Sequence, residues 1–403
     1  MIELLSPAGN FEKLRAAVNY GADAVYLAGR MFGMRAGADC FSTSELKDAV
    51  AYCHARGKKV YLALNTMPHP DEYAKLENYL HELDGIPFDA YIVADLGVMS
   101  KVKEISPHRE IHISTQASVV SAASANMYFM LGAKRVVLSR ELTFDEISAI
   151  RRDTPPELEL EAFIHGAMCV SYSGRCLISN HFTGRDANRG ECAQPCRWVY
   201  NISEPKHPDM PLTMDEGSDG TFLFGSKDLC MIEHIPQLLE SGITSFKIEG
   251  RMKSVYYAAV TANVYRMAID RYLDDPANYK YDPAWRTELE SVSHREYDTG
   301  FFFSKPSEDA RLAKSAGYLR SRAYIGDCTE YDAARGIACF VQKNKVCVGE
   351  TVELLSPGKT GRKFVIEKMY KESGEQIDSC PHPFMKFYVE IPFEAKPGDI
   401  LRA

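Results

Sequence analysis

The chain has 403 residues, 45% hydrophobic and 25% charged, with a formal net charge of −8. This is the make-up of a globular protein with room for one large domain and a smaller one. An acidic chain has no global attraction for nucleic acid, so RNA contact needs a local basic patch, and no apolar run reaches the roughly 18 residues of a membrane span.

From the N-terminus, short β-branched runs alternate with amphipathic helical stretches. IELLSP (2–7), AVYLAG (24–29), KVYLALN (59–65), AYIVAD (90–95), EIHIST (110–115), RVVLSR (135–140), LEAFIHG (160–166) and SFKIEGR (245–251) read as strands. Helices are expected after Asn10, with Leu14, Ala17 and Val18 on one face, and after Pro70-Asp71. Ser42-x-x-Glu45 and Thr143-x-x-Glu146 are capping boxes that open two more, and the last runs from about Ser254 to Tyr272. Eight strand–helix units with nearly continuous apolar strands predict an α/β fold, a parallel sheet closed into a (β/α)8 TIM-like barrel. An open doubly wound sheet is the alternative.

The seventh unit departs from this rhythm. A cysteine-rich insert (167–230) separates its strand from a helix expected at Cys230–Ser241, and within it 203–220 reads as an exposed hairpin. Long loops in compact domains are functional or disordered, and in a barrel this one lies at the C-terminal face, where active sites sit. The barrel domain is expected over 1–275 and a helical and irregular connector over 276–316. Alternating runs with Gly and Pro turns over 317–403 predict a small all-β barrel domain.

MIELLSPAGNFEK lacks the basic start and apolar core of a signal peptide, so the chain is expected in the cytoplasm. In a reducing compartment its eleven cysteines read as metal ligands, reactive thiols or core residues rather than disulfides. Cys169, Cys176, Cys192 and Cys196 fall within 28 residues, and Cys230 opens the following helix. Soft thiolates so gathered suit an iron–sulfur cluster or zinc, although the spacing is neither a two-CxxC ribbon nor a ferredoxin run. Small buried thiols lining a loop are the plain alternative.

Polar residues mark the strand ends: Asn65, Asp95, Gln116, Arg140, His165, Glu249 and Arg251. A closed barrel brings them to one mouth; helix capping is the competing role for each. Arg251, with Lys253 at a helix start, suits a carboxylate or phosphate. Between Arg175 and Arg197 four arginines face Asp186 and Glu191, so 4 − 2 leaves +2, with His181, Phe182, Trp198 and Tyr200 adjacent. Basic and aromatic residues together suit a single-stranded RNA loop, against a solvated, salt-bridged loop. No HExxH, GxSxG or paired aspartic motif is present, and a Cys169–His165 nucleophile pair rests on spacing alone.

The stretch EAFIHGAMCVSYSGRCLIS (161–179) closely resembles the signature of the collagenase-like peptidase family of unclassified mechanism. LLSPAG, RDANRGECAQPCRW (185–198), GSKDLC (225–230), IEGRMKS (248–254) and SHREYDTGF (293–301) extend the resemblance over essentially the whole chain. Despite the family's name, its better-understood branches are oxygen-independent hydroxylation proteins carrying a 4Fe–4S cluster. The branch most similar in length and tail acts with prephenate on the wobble uridine of tRNA; a sister branch acts on a cytidine of rRNA. The resemblance implies Cys169, Cys176, Cys192 and Cys230 as cluster ligands, with Cys196 a neighbour able to exchange with Cys192. With that function, Arg140, Arg251 and Arg30 are expected to bind the carboxylates of prephenate, Asn65, Asp95 and Gln116 at the strand ends to be further substrate contacts, and His165 and Glu249 to handle protons. tRNA, prephenate and a paired family protein or second copy are the expected partners, with no membrane. A true peptidase and a non-catalytic RNA-binding scaffold are the rival readings.

Overall fold

The computed structural model describes residues 2–34, 40–172, 175–198, 226–305 and 318–403. They form two compact units. The first takes in residues up to 14, 23–252 and 294–318, the second 15–22, 253–293 and 319–403. The hairpin expected at 203–220, Tyr200 and the end of the connector lie outside the described residues.

The first unit is built on eight parallel strands: β1 (Glu3–Pro7), β2 (Ala24–Leu27), β3 (Lys59–Leu64), β4 (Ala90–Val93), β5 (Glu110–Ile113), β6 (Arg135–Val137), β7 (Glu159–Ala167) and, after a short β8 (Asp228–Cys230), β9 (Ser245–Ile248). Each pairs with the next, β7 pairs with β9, and β9 returns to β1 with Glu3 opposite Ser245. The barrel is closed, which decides against the open sheet. Its strands are buried almost throughout, as parallel strands under helices must be. Of the intervening helices α1 (Phe11–Asn19), α2 (Thr43–His54), α3 (Tyr73–Asp84), α4 (Leu96–Ile105), α5 (Ala122–Met130) and α6 (Phe144–Arg152), all but α3 start where a side chain takes up a free N–H group. Both capping boxes form, at Ser42/Glu45 and Thr143/Glu146.

Beyond β7 the chain departs from the repeating unit. The insert carries α7 (Ile178–Thr183) and returns as β8, which runs antiparallel to β7 with Ala167 opposite Asp228 and His165 opposite Cys230. The helix expected to start at Cys230 begins later, as α8 (Ile235–Glu240). Cys230 is instead a buried strand residue, because the backbone groups exposed along β7 are met by a returning strand. A further strand, β10 (Tyr297–Asp298), pairs with β8.

The second unit contains α9 (Val255–Asp274), α10 (Pro283–Leu289) and strands β11 (Tyr324–Asp332), β12 (Ile337–Gln342), β13 (Val346–Cys347), β14 (Thr351–Leu355), β15 (Arg362–Val365), β16 (Met369–Tyr370), β17 (Gln376–Ile377), β18 (Ser379–Cys380), β19 (Lys386–Glu390) and β20 (Ile400–Arg402). Eight of these make one antiparallel sheet in the order β15-β14-β20-β11-β12-β19-β16-β17, and β13 pairs with β18. The strands wrap a core of Ile325, Phe340, Val352, Leu354, Phe387 and Leu401. Arg402 is buried in the same unit and pairs with Glu288 at 2.6 Å and Glu353 at 2.7 Å. No helix among the described residues is long and apolar enough to cross a membrane.

Candidate active site at the barrel mouth

Charged side chains fill the lower barrel. Glu161, fully buried on β7, accepts from Arg135 of β6 at 3.0 Å and from Lys247 of β9 at 2.7 Å. Arg135 also reaches Glu3 at 2.5 Å, and Ser245 Oγ donates to Glu3 at 2.9 Å and to Glu161 at 3.3 Å. Burial alone would raise both carboxyls; Lys247 and Arg135 at Glu161, and Arg135 at Glu3, hold them below the usual range. His112 of β5 lies in this layer, and burial followed by the Arg135 charge pushes its pKa down to about 3.

Above this layer a cavity of about 100 Å³ opens among the strand ends. Asn65, Gln116, Arg140, Glu249 and Arg251 all line it, as does Lys247 from below. Arg140 is fixed by donating to the Ala167 carbonyl at 2.8 Å and by lying 3.8 Å over the Phe163 ring, and its Nη2 is 3.8 Å from Glu249 Oε2. Tyr26 donates to the same oxygen at 3.3 Å. Asn65 accepts from the Met34 N–H and donates to Ser114. Three cations facing one carboxylate within low-dielectric walls favour a small anion.

Two glycines make this packing feasible. A Cβ on Gly166 would stand 2.2 Å from the Glu249 carbonyl oxygen, and one on Gly9, in the LLSPAG segment, 2.5 Å from the Arg251 carbonyl oxygen. Gly166 also has φ +106°, a conformation that side chains rarely adopt.

Three expected site residues do not line this cavity. Asp95 does not line the cavity; its carboxylate accepts from Val98 N at 3.0 Å and Tyr73 Oη at 3.1 Å, capping α4. His165 does not line the cavity either. Between Phe163 and His165 the ladder with β9 carries a bulge, which reverses the inward alternation. The His165 ring faces Tyr297, whose hydroxyl is 3.4 Å from Nε2 and whose ring stacks on His294 at 4.1 Å. Arg30 is exposed and lines neither this cavity nor the next.

The neighbouring cavity, about 240 Å³, shares Met34, Thr115, Gln116 and Arg140 with the first. Cys169, Cys176, Cys192 and Cys196 all line it, with Arg185, Arg197 and Met252. Its wall is tied together locally: Asn188 donates to the Cys176 carbonyl, and Ser179 accepts from Ala193 N while donating to the Arg185 carbonyl. Arg295, from the HREYDTG segment, ties β8 to the Met168 backbone by binding Asp228 at 2.8 Å and the Met168 carbonyl at 3.2 Å. Burial raises the Cys169 and Cys196 thiols, and neighbouring sulfurs add to it. A cation among the sulfurs would reverse that balance, since a coordinated thiol loses its proton. Four soft donors round one cavity fit the ligand chemistry of an iron–sulfur cluster. Among the described residues no three cysteine, histidine or carboxylate side chains stand closed on one point as metal ligands. Cys230 is not part of this wall: it lies two residues along β8 from the Ala167–Asp228 pair, about 7 Å down the strand.

The model of peptidase family U32 matches residues 9–312, and that of the U32 C-terminal domain matches residues 320–402. The chain belongs to peptidase family U32. This U32 chain is 36% identical to tRNA hydroxylation protein P1 of Bacillus subtilis, over 99% of its own length and 94% of the relative. It is 34% identical to tRNA hydroxylation protein P of Escherichia coli, over 97% and 94%. It is 29% identical to a collagenase of Porphyromonas gingivalis, over 88% and 86%. Arg135, Glu161, Lys247 and Arg295 were missed by the strand-end pattern. The signal for the first three is a charge inside an apolar strand: RVV, LEAF and FKI.

Proposed function

We propose that this U32 chain is an RNA-modifying hydroxylase of the cytoplasm. Its substrate is the wobble uridine of tRNA, and the reaction is oxygen-independent, with prephenate as co-substrate and an iron–sulfur cluster of the 4Fe–4S type. The observation that carries the reading is the shared wall: a thiol-lined cavity and a cationic one meet at Gln116 and Arg140. The near full-length likeness to proteins named for tRNA hydroxylation supports the choice of RNA. Cys169, Cys176 and Cys192 would hold the cluster, with Cys230 as the fourth ligand implied by the family resemblance and Cys196 as the competitor that lines the cavity. A bound cluster supplies an electron-transfer centre. Arg140 and Arg251 bind the acid, Glu249 is the carboxylate beside Tyr26 that would accept and return a proton, and the apolar wall at Phe163 excludes water. Arg185 and Arg197 on the cavity wall receive the RNA backbone.

Anaerobic purification with iron and sulfide analysis tests the cluster. About four irons per chain are expected for a cubane, lost in Cys169→Ser, Cys176→Ser and Cys192→Ser. Loss in Cys230→Ser with retention in Cys196→Ser selects the first set, and the opposite result the second. Nucleoside analysis of tRNA from cells lacking the gene, complemented with each variant, tests the substrate; unchanged 5-hydroxyuridine on deletion would defeat the reading. Proteolysis that survives removal of iron but is lost in Cys169→Ser would favour the peptidase instead.

A further inference from the structure

The floor of the cationic cavity is a residue that neither the strand-end pattern nor the cysteine motif picks out. Lys247 is 5% exposed, and its Nζ reaches the cavity between the rings of Tyr26, 4.6 Å away, and Phe163, 5.4 Å away. An ammonium has three protons to donate. Among the described residues its one hydrogen-bond acceptor is Glu161 Oε1, at 2.7 Å. The aromatic faces stabilise its charge without accepting conventional hydrogen bonds. Below it, Arg135 is taken up by Glu3, Glu159 and Glu161, which leaves Glu161 as the carboxylate that Lys247 shares with that layer.

A buried ammonium with protons left to give, at the bottom of a cavity whose rim carries Arg140 and Arg251, is arranged for an oxygen-rich ligand. We propose that Lys247 donates to an oxygen of the small acid bound in the barrel mouth, and that Glu161 is the positioning residue that holds the ammonium there. The inference rests on the reading that this mouth takes a small-molecule co-substrate. It adds a selectivity: the acid needs two oxygen-bearing ends, one for the arginines at the rim and one for Lys247 at the floor. A carboxylate on an otherwise apolar body satisfies only the rim.

Calorimetric titration of the full chain with prephenate, phenylpyruvate, phenylacetate and inorganic phosphate tests this. Wild-type protein is expected to prefer prephenate, which carries oxygens at both ends, to phenylpyruvate and phenylacetate, whose oxygens all lie at one end. Lys247→Met is expected to weaken binding of the preferred acid by about ten- to a hundredfold, the range for a hydrogen bond to a charged group. Because Lys247→Met alone leaves Glu161 less compensated, Lys247→Met/Glu161→Gln is titrated beside it; its melting temperature should return toward wild type while its affinity stays low. In Lys247→Ala, added ethylammonium should restore binding in a saturable way, which a purely structural role would not produce. Unchanged affinity in the folded double variant, or affinity that merely follows melting temperature with no rescue, overturns the assignment. Binding of phosphate but not prephenate, lost in the variant, keeps Lys247 and removes the prephenate reading, whereas phenylpyruvate or phenylacetate binding as tightly as prephenate removes the selectivity. No binding of any probe by wild type removes both.

Discussion

Substituting Gly166 by alanine tests how closely the end of β7 is packed against the residue that carries Glu249. At φ +106° a side chain costs about 1–3 kcal/mol in backbone strain. The added Cβ would also stand 2.2 Å from the Glu249 carbonyl oxygen and 3.0 Å from its Cβ, both on the strand end opposite. Neither is the free end of a flexible side chain, so the strands must part, at a further cost of about 1–3 kcal/mol on the scale of overpacked cores. The sum, about 2–6 kcal/mol, corresponds to a loss of roughly 5–20 °C in melting temperature for a domain of this size class. Gly57→Ala is the control: its φ is +66° and nothing lies within 4 Å of its Cβ, so it bears strain without collision. Thermal unfolding of the two variants, followed by circular dichroism, isolates the collision. If Gly166→Ala melts within about 2 °C of Gly57→Ala, less than 1 kcal/mol of difference, the close approach has been misjudged.

Arg135→Met is expected to cost about 3–5 kcal/mol in urea unfolding, because it leaves Glu3 and Glu161 without their shared cation; a loss below 1 kcal/mol would mean the layer is solvated. Acid should act in two stages. His112 stays neutral when folded, pushed down to about 3, whereas the unfolded chain takes up a proton near pH 6.5. Its stabilisation is therefore full above about pH 6.5 and is lost as pH falls toward 3. Glu3 and Glu161, held below the ordinary value of about 4.3, keep theirs above that pH and lose it as pH falls through their folded values. A melting-temperature profile of His112→Leu should be flat between about pH 6.5 and 4.5, and an unchanged slope there would assign the acid loss elsewhere. Asp95→Ala should lose about 1 kcal/mol of stability as a helix cap while leaving the affinity for prephenate unchanged. A tenfold weaker affinity would return Asp95 to the site.

Much of the barrel is legible because its strands and helices obey different periods. The strand runs are short and nearly continuous in apolar residues, and Ser42/Glu45 and Thr143/Glu146 announce helix starts by local chemistry alone. Closure is a property of the β9–β1 pairing, which no local pattern encodes. The strand-end rule brings Asn65, Gln116, Arg140, Glu249 and Arg251 to one cavity, since they lie at or just past the ends of adjacent barrel strands. It misplaces His165 because one bulged residue on β7 reverses that alternation, a shift invisible in the string of letters. It misplaces Asp95 because an aspartate after a strand serves a cap as well as a ligand. The expected helix at Cys230 fails for a related reason: Asp228–Cys230 satisfies its backbone against β7 rather than within itself.

The insert leaves the barrel at Ala167 and comes back at Asp228, directly opposite on the ladder. Its two ends are thus fixed about one strand spacing apart, some 5 Å, however much chain lies between them. For a flexible loop so anchored, doubling its length adds only about 0.6 kcal/mol of closure entropy. The rim of the site can therefore be lengthened, shortened or exchanged while the charged layer beneath keeps the barrel's register. In evolutionary terms, the hydrogen-bonded stem formed by β7 and β8 lets new recognition surfaces be tried on an unchanged catalytic scaffold.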